Sequence, residues 1–161
     1  MSDGVKAGVG GCPGAESTPM SKKPRRKYTP VVEKVPGALP EPNFRKLNPA
    51  WRLKQMEMID PFGWHKVKSE QLLRIHKRLS SFETMTWGEI LGPDNHAIPV
   101  VELCKEARDR LSALGLDDQE TLMSLRVSST ERVWGILEYN VLIILWWDPN
   151  HLVCPSVKKH T

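Results

Sequence analysis

The stretch Arg132-Val-Trp-Gly-Ile-Leu-Glu-Tyr-Asn-Val-Leu-Ile-Ile-Leu-Trp-Trp-Asp-Pro-Asn-His151 contains two apolar runs, 132–137 and 141–147, separated by Glu-Tyr-Asn. Both runs are rich in β-branched and aromatic residues, and the break contains Asn140, a residue type that tolerates positive φ. The pattern therefore predicts a β-hairpin. The second run holds seven consecutive apolar residues, which is typical of a strand that is covered on both faces and lies in the centre of its sheet.

Titratable residues follow this apolar strand. The chain turns at 148–150 and continues with His151, and Lys158, Lys159 and His160 come shortly after it. A buried strand that ends in a turn and a group of titratable side chains is a reasonable place for a functional site.

The N-terminal part differs in composition from the rest of the 161-residue chain. Residues 1–42 contain 7 of the 13 prolines and 6 of the 11 glycines, with a basic cluster at 22–27. This composition predicts a disordered basic tail, followed by a single domain over 43–161. The basic cluster either steers the protein to nucleic acid or another polyanion, or only keeps it soluble; a shorter chain that starts at Met20 is a further alternative.

Charge and cysteine usage narrow the class of protein. The tail carries a net charge of +3 and the remainder only +1, so the domain lacks the strongly basic balance of a general nucleic-acid binder. The three cysteines form no CxxC pair, and the odd number indicates free thiols in a reducing compartment. With no signal-peptide pattern and no apolar run long enough for a bilayer, we expect a cytoplasmic protein that does not associate with membranes.

The segment 51–60 alternates partly between apolar and polar residues, which predicts a first strand with a slip or bulge near Gln55. The turn 61–63 follows, and Trp64 is expected to pack on the core. Ser69 then resembles the N-cap of a helix that runs to about Phe82, with one apolar stripe at helical spacing. The stripe consists of Leu72, Ile75, Leu79 and Phe82.

Two further helices and a strand complete the pattern. The sequence Thr86-Trp-Gly-Glu89 is a capping box that starts a short helix ending at Gly92. Residues 94–96 are expected to form a loop with an exposed His96, and a longer helix is expected from Pro99 to Leu114, ending at Gly115. A strand over 121–127 and a turn at 128–130 lead into the hairpin. The sequence thus predicts an α+β fold with two to three helices packed on one face of a small antiparallel sheet that ends in a three-stranded meander.

Helices followed by a meander whose middle strand begins with Arg resemble the RelE/YoeB/ParE-like toxin superfamily. The matching residues are Ser124-Leu125-Arg126, Glu131-Arg132-Val133-Trp134-Gly135-Ile136, the apolar run 141–145 and Asp148-Pro149-Asn150-His151, and the resemblance covers roughly 68–155. It implies a RelE-like fold and, for the ribonuclease members, metal-free endoribonuclease activity on translated mRNA. In that reaction a base activates the ribose 2′-OH, cations stabilise the phosphorane, and an acid protonates the leaving 5′-oxygen.

Mapped onto this chain, the resemblance makes Arg126 and Arg132 the phosphate-contacting arginines and His151 the general acid or base. Lys158, Lys159 and His160 would add charge for RNA binding or an alternative proton donor, and Trp146 or Trp147 would stack on a base. The alternatives are structural. Arg132 pairs with Asp148 or Glu131, the tryptophans pack in the core, and His151 only hydrogen-bonds the turn.

Three functions stay open at this point. The first is a RelE-like toxin acting on RNA or the ribosome, with an antitoxin as protein partner. The second is a non-catalytic module of the same fold that binds a protein, such as an antitoxin, gyrase or a phage component. The third is a nucleic-acid-binding protein that uses the basic tail. The sequence contains no Gly-rich phosphate loop and no metal-ligand spacing, so neither a metal nor a small-molecule cofactor is expected.

Overall fold

A computed structural model describes residues 43–155 together with Gly11 and Gly14. The predicted tail 1–42, apart from those two glycines, lies outside the described residues, as do 156–161. All elements below belong to the unit Leu39–Thr161.

The fold is built on one open sheet of five strands in the order β1-β5-β4-β3-β2. The predicted hairpin is confirmed, and with the strand before it forms three adjacent antiparallel strands. The sheet is mixed, however, because the first strand runs parallel to the last, so the expected antiparallel sheet was wrong at this edge. The strands are β1 (Ala50–Arg52), β2 (His96–Pro99), β3 (Thr121–Arg126), β4 (Arg132–Glu138) and β5 (Val141–Asp148).

Three α-helices cover both faces of this sheet, not one face as the sequence predicted. They are α1 (Ser69–Glu83), α2 (Trp87–Ile90) and α3 (Lys105–Ala113). Buried residues of α1 and α2 pack in one core cluster, and those of α3 pack in the other. We call the two sides of the sheet the α1 face and the α3 face. Among the described residues, no helix is long and apolar enough to cross a bilayer.

Strand β5 supplies both cores, as its unbroken apolar run predicted. Leu142 and Ile144 point to the α1 face, and Ile143 points to the α3 face. The strand lies inside the sheet between β1 and β4, while β4 occupies the centre. Its burial on both sides explains why the run lacks the alternation of a half-exposed strand.

A β-bulge interrupts the pairing of β4 with β5. Trp134 pairs with Trp146 and Gly135 pairs with Ile144, so Leu145 has no partner opposite it. Leu145 and Trp146 consequently both pack into the core on the α3 face. Beyond the bulge, the side-chain alternation of β5 is shifted by one residue.

Strand β1 is much shorter than the predicted 51–60. After Arg52 the chain leaves the sheet edge, and the backbone N–H of Glu57 donates to the Leu145 carbonyl at 3.0 Å. The Glu57 side chain is buried and accepts hydrogen bonds from Arg110 on α3 and from Trp146 Nε1. Glu57 therefore links this irregular segment to the sheet and to α3 through hydrogen bonds.

The helix α1 begins at Ser69, so Lys68 and not Ser69 is its N-cap residue. The Lys68 backbone N–H donates to the Gln71 side chain at 2.9 Å. Ile75 and Phe82 are buried as predicted, but Leu72 is 56% exposed and lies outside the core. The apolar stripe is thus narrower than the sequence suggested.

The region 94–115 differs most from its prediction. His96 does not lie in a loop but begins the edge strand β2, and Pro99 ends that strand. A 3-10 turn at Val100–Glu102 then precedes α3, so the expected continuous helix 99–114 is split. Pro99 fits an edge strand because its missing N–H faces away from the ladder. Gly115 ends α3 with φ +69°, as predicted from its position.

We expect Arg110→Ala to lower the free energy of unfolding by about 2–4 kcal/mol, because the buried Glu57 carboxylate loses its cation. Arg110→Ala in a Glu57→Gln background should cost much less. Urea unfolding of the full chain measures both, with the exposed Arg108→Ala as the matched control. Equal costs for Arg110→Ala in the two backgrounds would contradict the role given to this ion pair.

Candidate functional site

A cavity of about 350 Å³ opens on the α3 face, at the end of the sheet where β2 and β4 begin. Its volume lies in the range of small-ligand sites. Its polar lining comes from five different segments of the chain, which the fold brings together. These residues are Asp94, His96, Glu102, Ser124, Arg132, His151 and Cys154.

Arg132, the first residue of β4, is held in the cavity wall by backbone carbonyls. Its Nη1 donates to Ser128 at 2.8 Å and to Glu131 at 3.0 Å. Within the described residues no carboxylate forms a salt bridge with Arg132, although Asp148 is its partner in the register. Burial, with a contribution from Arg126, lowers the pKa of Arg132, and Asp94 and Asp148 oppose this shift. The predicted pairing of Arg132 with Asp148 or Glu131 is therefore not observed.

Arg126 lies directly opposite Arg132 across β3 and β4. Its Nη1 forms a salt bridge of 2.5 Å with Asp94, which lines the cavity, and its Nε donates to the Ser128 carbonyl at 3.2 Å. Two arginines in facing positions repel each other, and Asp94 offsets part of that repulsion. Of the two predicted arginines, Arg132 lines the cavity, whereas Arg126 is not among the lining residues and contacts the cavity wall only through Asp94.

The turn after β5 positions His151. Asp148 is 1% exposed, and its carboxylate accepts backbone N–H groups of Leu152 and Val153 at 2.9 Å each. His151 lies between Asp148 and these two residues, with φ 57°, a left-handed conformation that few residue types adopt readily. The capped turn fixes this conformation and brings His151 to the cavity wall. Arg132 and His151, predicted from the two ends of the hairpin stretch, therefore line the same cavity.

The predicted base-stacking role of Trp146 or Trp147 does not fit the structure. Trp146 is 0% exposed, and its Nε1 donates to the Glu57 carboxylate at 2.6 Å. Trp147 is 2% exposed and packs against Trp64 on the α1 face. Both rings belong to the core, so neither offers a free face to a base. Lys158, Lys159 and His160 lie outside the described residues.

Sequence reasoning missed His96 and Ser124 as cavity residues. His96 belongs to a four-residue strand with a single bulky aliphatic residue, Ile98, which is too short to show a period. Its position follows only from the antiparallel pairing of β2 with β3, in which His96 lies opposite Ser124. No local signal in the sequence indicates this pairing.

Cys154 lines the cavity as a thiol and not as an activated nucleophile. Its burial raises its pKa, and the nearby Glu102 adds to this effect. A raised pKa lowers the thiolate fraction at neutral pH. In the described part of the chain, no group of three or more His, Cys, Asp or Glu residues is arranged to hold a metal ion.

Glu131 anchors the loop before β4 through an ion pair with Arg74, so we expect the stability of the protein to depend on the protonation of Glu131. Arg74 on α1 binds the Glu131 carboxylate at 2.5 Å and lowers its pKa. A lowered carboxyl pKa stabilises the fold above the unfolded value of about 4.3, and this contribution is lost as the pH falls through the folded value. Glu131→Gln should therefore destabilise the protein at pH 7, and its difference from wild type should shrink in acid. Thermal unfolding between pH 3 and pH 7 tests this, with the exposed Glu120→Gln as control; a difference that does not change with pH would contradict it.

The Asp148 cap gives a second test. Asp148→Asn keeps the size but replaces one acceptor oxygen with a donor, so we expect a loss of about 1–3 kcal/mol in the free energy of unfolding. Hydrogen exchange at Leu152 or Val153 should accelerate at the same time, since the two N–H groups bind different oxygens and only one of these remains an acceptor. The exposed Asp117→Asn is the control. Unchanged exchange at both amides would show that the carboxylate does not hold the turn.

Comparison of the chain with protein-family models, with curated proteins and with solved structures finds no match.

Proposed function

We propose that this protein is a RelE-like toxin that cleaves RNA at the cavity on the α3 face, as an endoribonuclease that needs no metal. The observation that carries the proposal is the position of Arg132 and His151 on the wall of one cavity, with Arg126 beside Arg132. The target is an RNA chain, and the ribosome and a cognate antitoxin are the proposed partners.

The arginine geometry supports the binding of a phosphate group. A guanidinium matches two phosphate oxygens with parallel N–H bonds, and it stays protonated in proteins. Arg132 uses Nη1 on backbone carbonyls, and within the described residues it forms no salt bridge that would neutralise its charge. Arg126 lies opposite Arg132, and its own charge is paired with Asp94. We assign phosphate binding to Arg132, with support from Arg126.

The proposed chemistry is an in-line transfer within the RNA. The ribose 2′-OH loses its proton to a base and bonds to the adjacent phosphorus, and the bond from phosphorus to the 5′-oxygen breaks as that oxygen gains a proton. The products are a 2′,3′-cyclic phosphate and a 5′-hydroxyl. His151 gives or takes one of these protons, since imidazole changes its protonation near neutral pH. The arginines stabilise the charge that develops on the phosphorane.

A protein-binding module is the second candidate, and a feature of the other side of the sheet favours it. A cleft on the α1 face is lined mainly by apolar side chains, and Leu53 and Leu72 on its rim are 59% and 56% exposed. Exposed apolar surface of this kind is typical of protein contacts. This surface lies on the opposite face from the cavity, so one chain can carry both an RNA site and a partner site.

The test compares wild type with Arg132→Lys and His151→Asn. Lysine keeps the charge but not the two-pronged geometry, and asparagine tolerates the left-handed backbone at 151 without an imidazole. Purified full-length proteins are incubated with an RNA oligonucleotide and with mRNA on ribosomes, and the ends of the products are mapped. We expect wild type to generate 2′,3′-cyclic phosphate ends, and each variant to lose about 10²-fold or more in rate.

Controls separate chemistry from folding and from protein binding. The exposed Arg108→Ala on α3 should cleave at the wild-type rate, and every variant should unfold at a urea concentration close to that of wild type. Growth of cells is also followed after induced expression of wild type and of Arg132→Lys. If both proteins stop growth and neither produces new RNA ends, the protein-binding candidate replaces the ribonuclease.

A further inference from the structure

We propose that His96 is the second proton-transfer group of the cavity, so that His96 and His151 act as a general acid–base pair. This inference rests on the proposed ribonuclease function and adds a residue to it. It follows from the position of His96 in the fold and not from its sequence context.

His96 is the first residue of β2, and its Cα partner on β3 is Ser124. Paired residues in antiparallel strands point to the same side of the sheet. Ser124 lines the cavity on the α3 face, and His96 lines it as well. The side chain is exposed to solvent, so a substrate can reach it.

The two histidines come to the cavity from different parts of the sheet. His96 belongs to β2, and His151 follows β5, with β3 and β4 between them. The strand spacing puts β2 and β5 roughly 14 Å apart. Arg132 begins β4, a strand that lies between β2 and β5 in the sheet, and it lines the same cavity. In-line displacement needs a base at the attacking oxygen and an acid at the leaving oxygen, on opposite sides of the phosphorus. Two imidazoles that reach one cavity from different strands, with an arginine from a strand between them, fit that requirement.

The proton balance needs no further reactant. A neutral imidazole accepts the proton of the 2′-OH as the new oxygen–phosphorus bond forms. The other imidazole, protonated, donates to the 5′-oxygen as its bond to phosphorus breaks. After the reaction the two histidines have exchanged protonation states, and exchange with water restores them.

Other charged groups surround the pair and influence its pH profile. Asp94 precedes β2 and is bound to Arg126 from β3, and Glu102 faces the cavity from the turn after β2. Arg132 contributes from β4, and Cys154 follows His151 on the C-terminal segment. The test therefore changes only the imidazoles and leaves these groups intact.

The experiment measures single-turnover cleavage against pH for wild type, His96→Gln and His151→Asn. It uses the full chain and whichever RNA form, free or on ribosomes, the wild type cleaves. We expect a bell-shaped profile for wild type, and for each variant a rate at least about 10²-fold lower with one limb missing. An RNA with a 5′-thiolate leaving group needs no acid, so it should restore the rate of one variant and not of the other. The exposed His76→Gln on α1 serves as the matched control and should keep the full profile.

RNA binding distinguishes a proton-transfer role of His96 from a merely structural one, because a structural role would also change the affinity for RNA. A fully 2′-O-methylated RNA of the same sequence cannot be cleaved, and we expect wild type, His96→Gln and His151→Asn to bind it equally. If His96→Gln cleaves at the wild-type rate with both limbs, or loses binding in proportion to its loss of rate, His96 is not a proton-transfer group, and the ribonuclease function stands without it. If wild type cleaves neither RNA form, the proposed function fails, and the pair fails with it.

Discussion

The end of the sheet that carries the cavity depends on the extra residue in β5. Side chains point alternately to the two faces of a sheet along a strand. One extra residue in the strand therefore turns every side chain beyond it to the opposite face. With Leu145 unpaired, Trp146 points to the α3 face, and so does Asp148, which pairs with Arg132. Without the bulge, Asp148 would point to the α1 face, and the turn that carries His151 would begin on the wrong side of the sheet.

The bulge is held by groups from outside the ladder. The Leu145 carbonyl accepts hydrogen bonds from the Glu57 backbone N–H at 3.0 Å and from Trp64 Nε1 at 3.1 Å. Opposite the bulge, a Cβ on Gly135 would lie 2.4 Å from the Ile143 carbonyl oxygen, so the close approach of the two strands requires glycine there. The segment after β1, which the sequence predicted to be part of a strand, is therefore irregular. Its backbone hydrogen-bonds to β5 at the bulge instead of forming a regular ladder.

The sequence predicted those elements that are determined by interactions between residues close together in the chain. The hairpin, the strand before it, the capping box at Thr86 and the end of α3 at Gly115 follow from turn chemistry, periodicity and caps. The placement of helices on both faces does not follow, because the same amphipathic stripe packs equally well on either side of a strand that is apolar throughout. The same limit applies to the cavity. Arg132 and His151 were found because they flank the hairpin, whereas His96 depends on a pairing that only the folded chain creates.

Core packing does not explain why Arg126 and Arg132 occupy facing positions on β3 and β4. Like charges in paired positions destabilise a sheet, and the pKa of Arg132 is lowered first by burial and then by the charge of Arg126. Asp94 neutralises Arg126, but among the described residues no carboxylate does the same for Arg132, although Asp148 is close enough to influence it. The Asp148 carboxylate is instead occupied by the backbone of the turn that carries His151. Arg132 thus forms no salt bridge among the described residues, and it lines the cavity together with two imidazoles, where a phosphate group would complete the pairing.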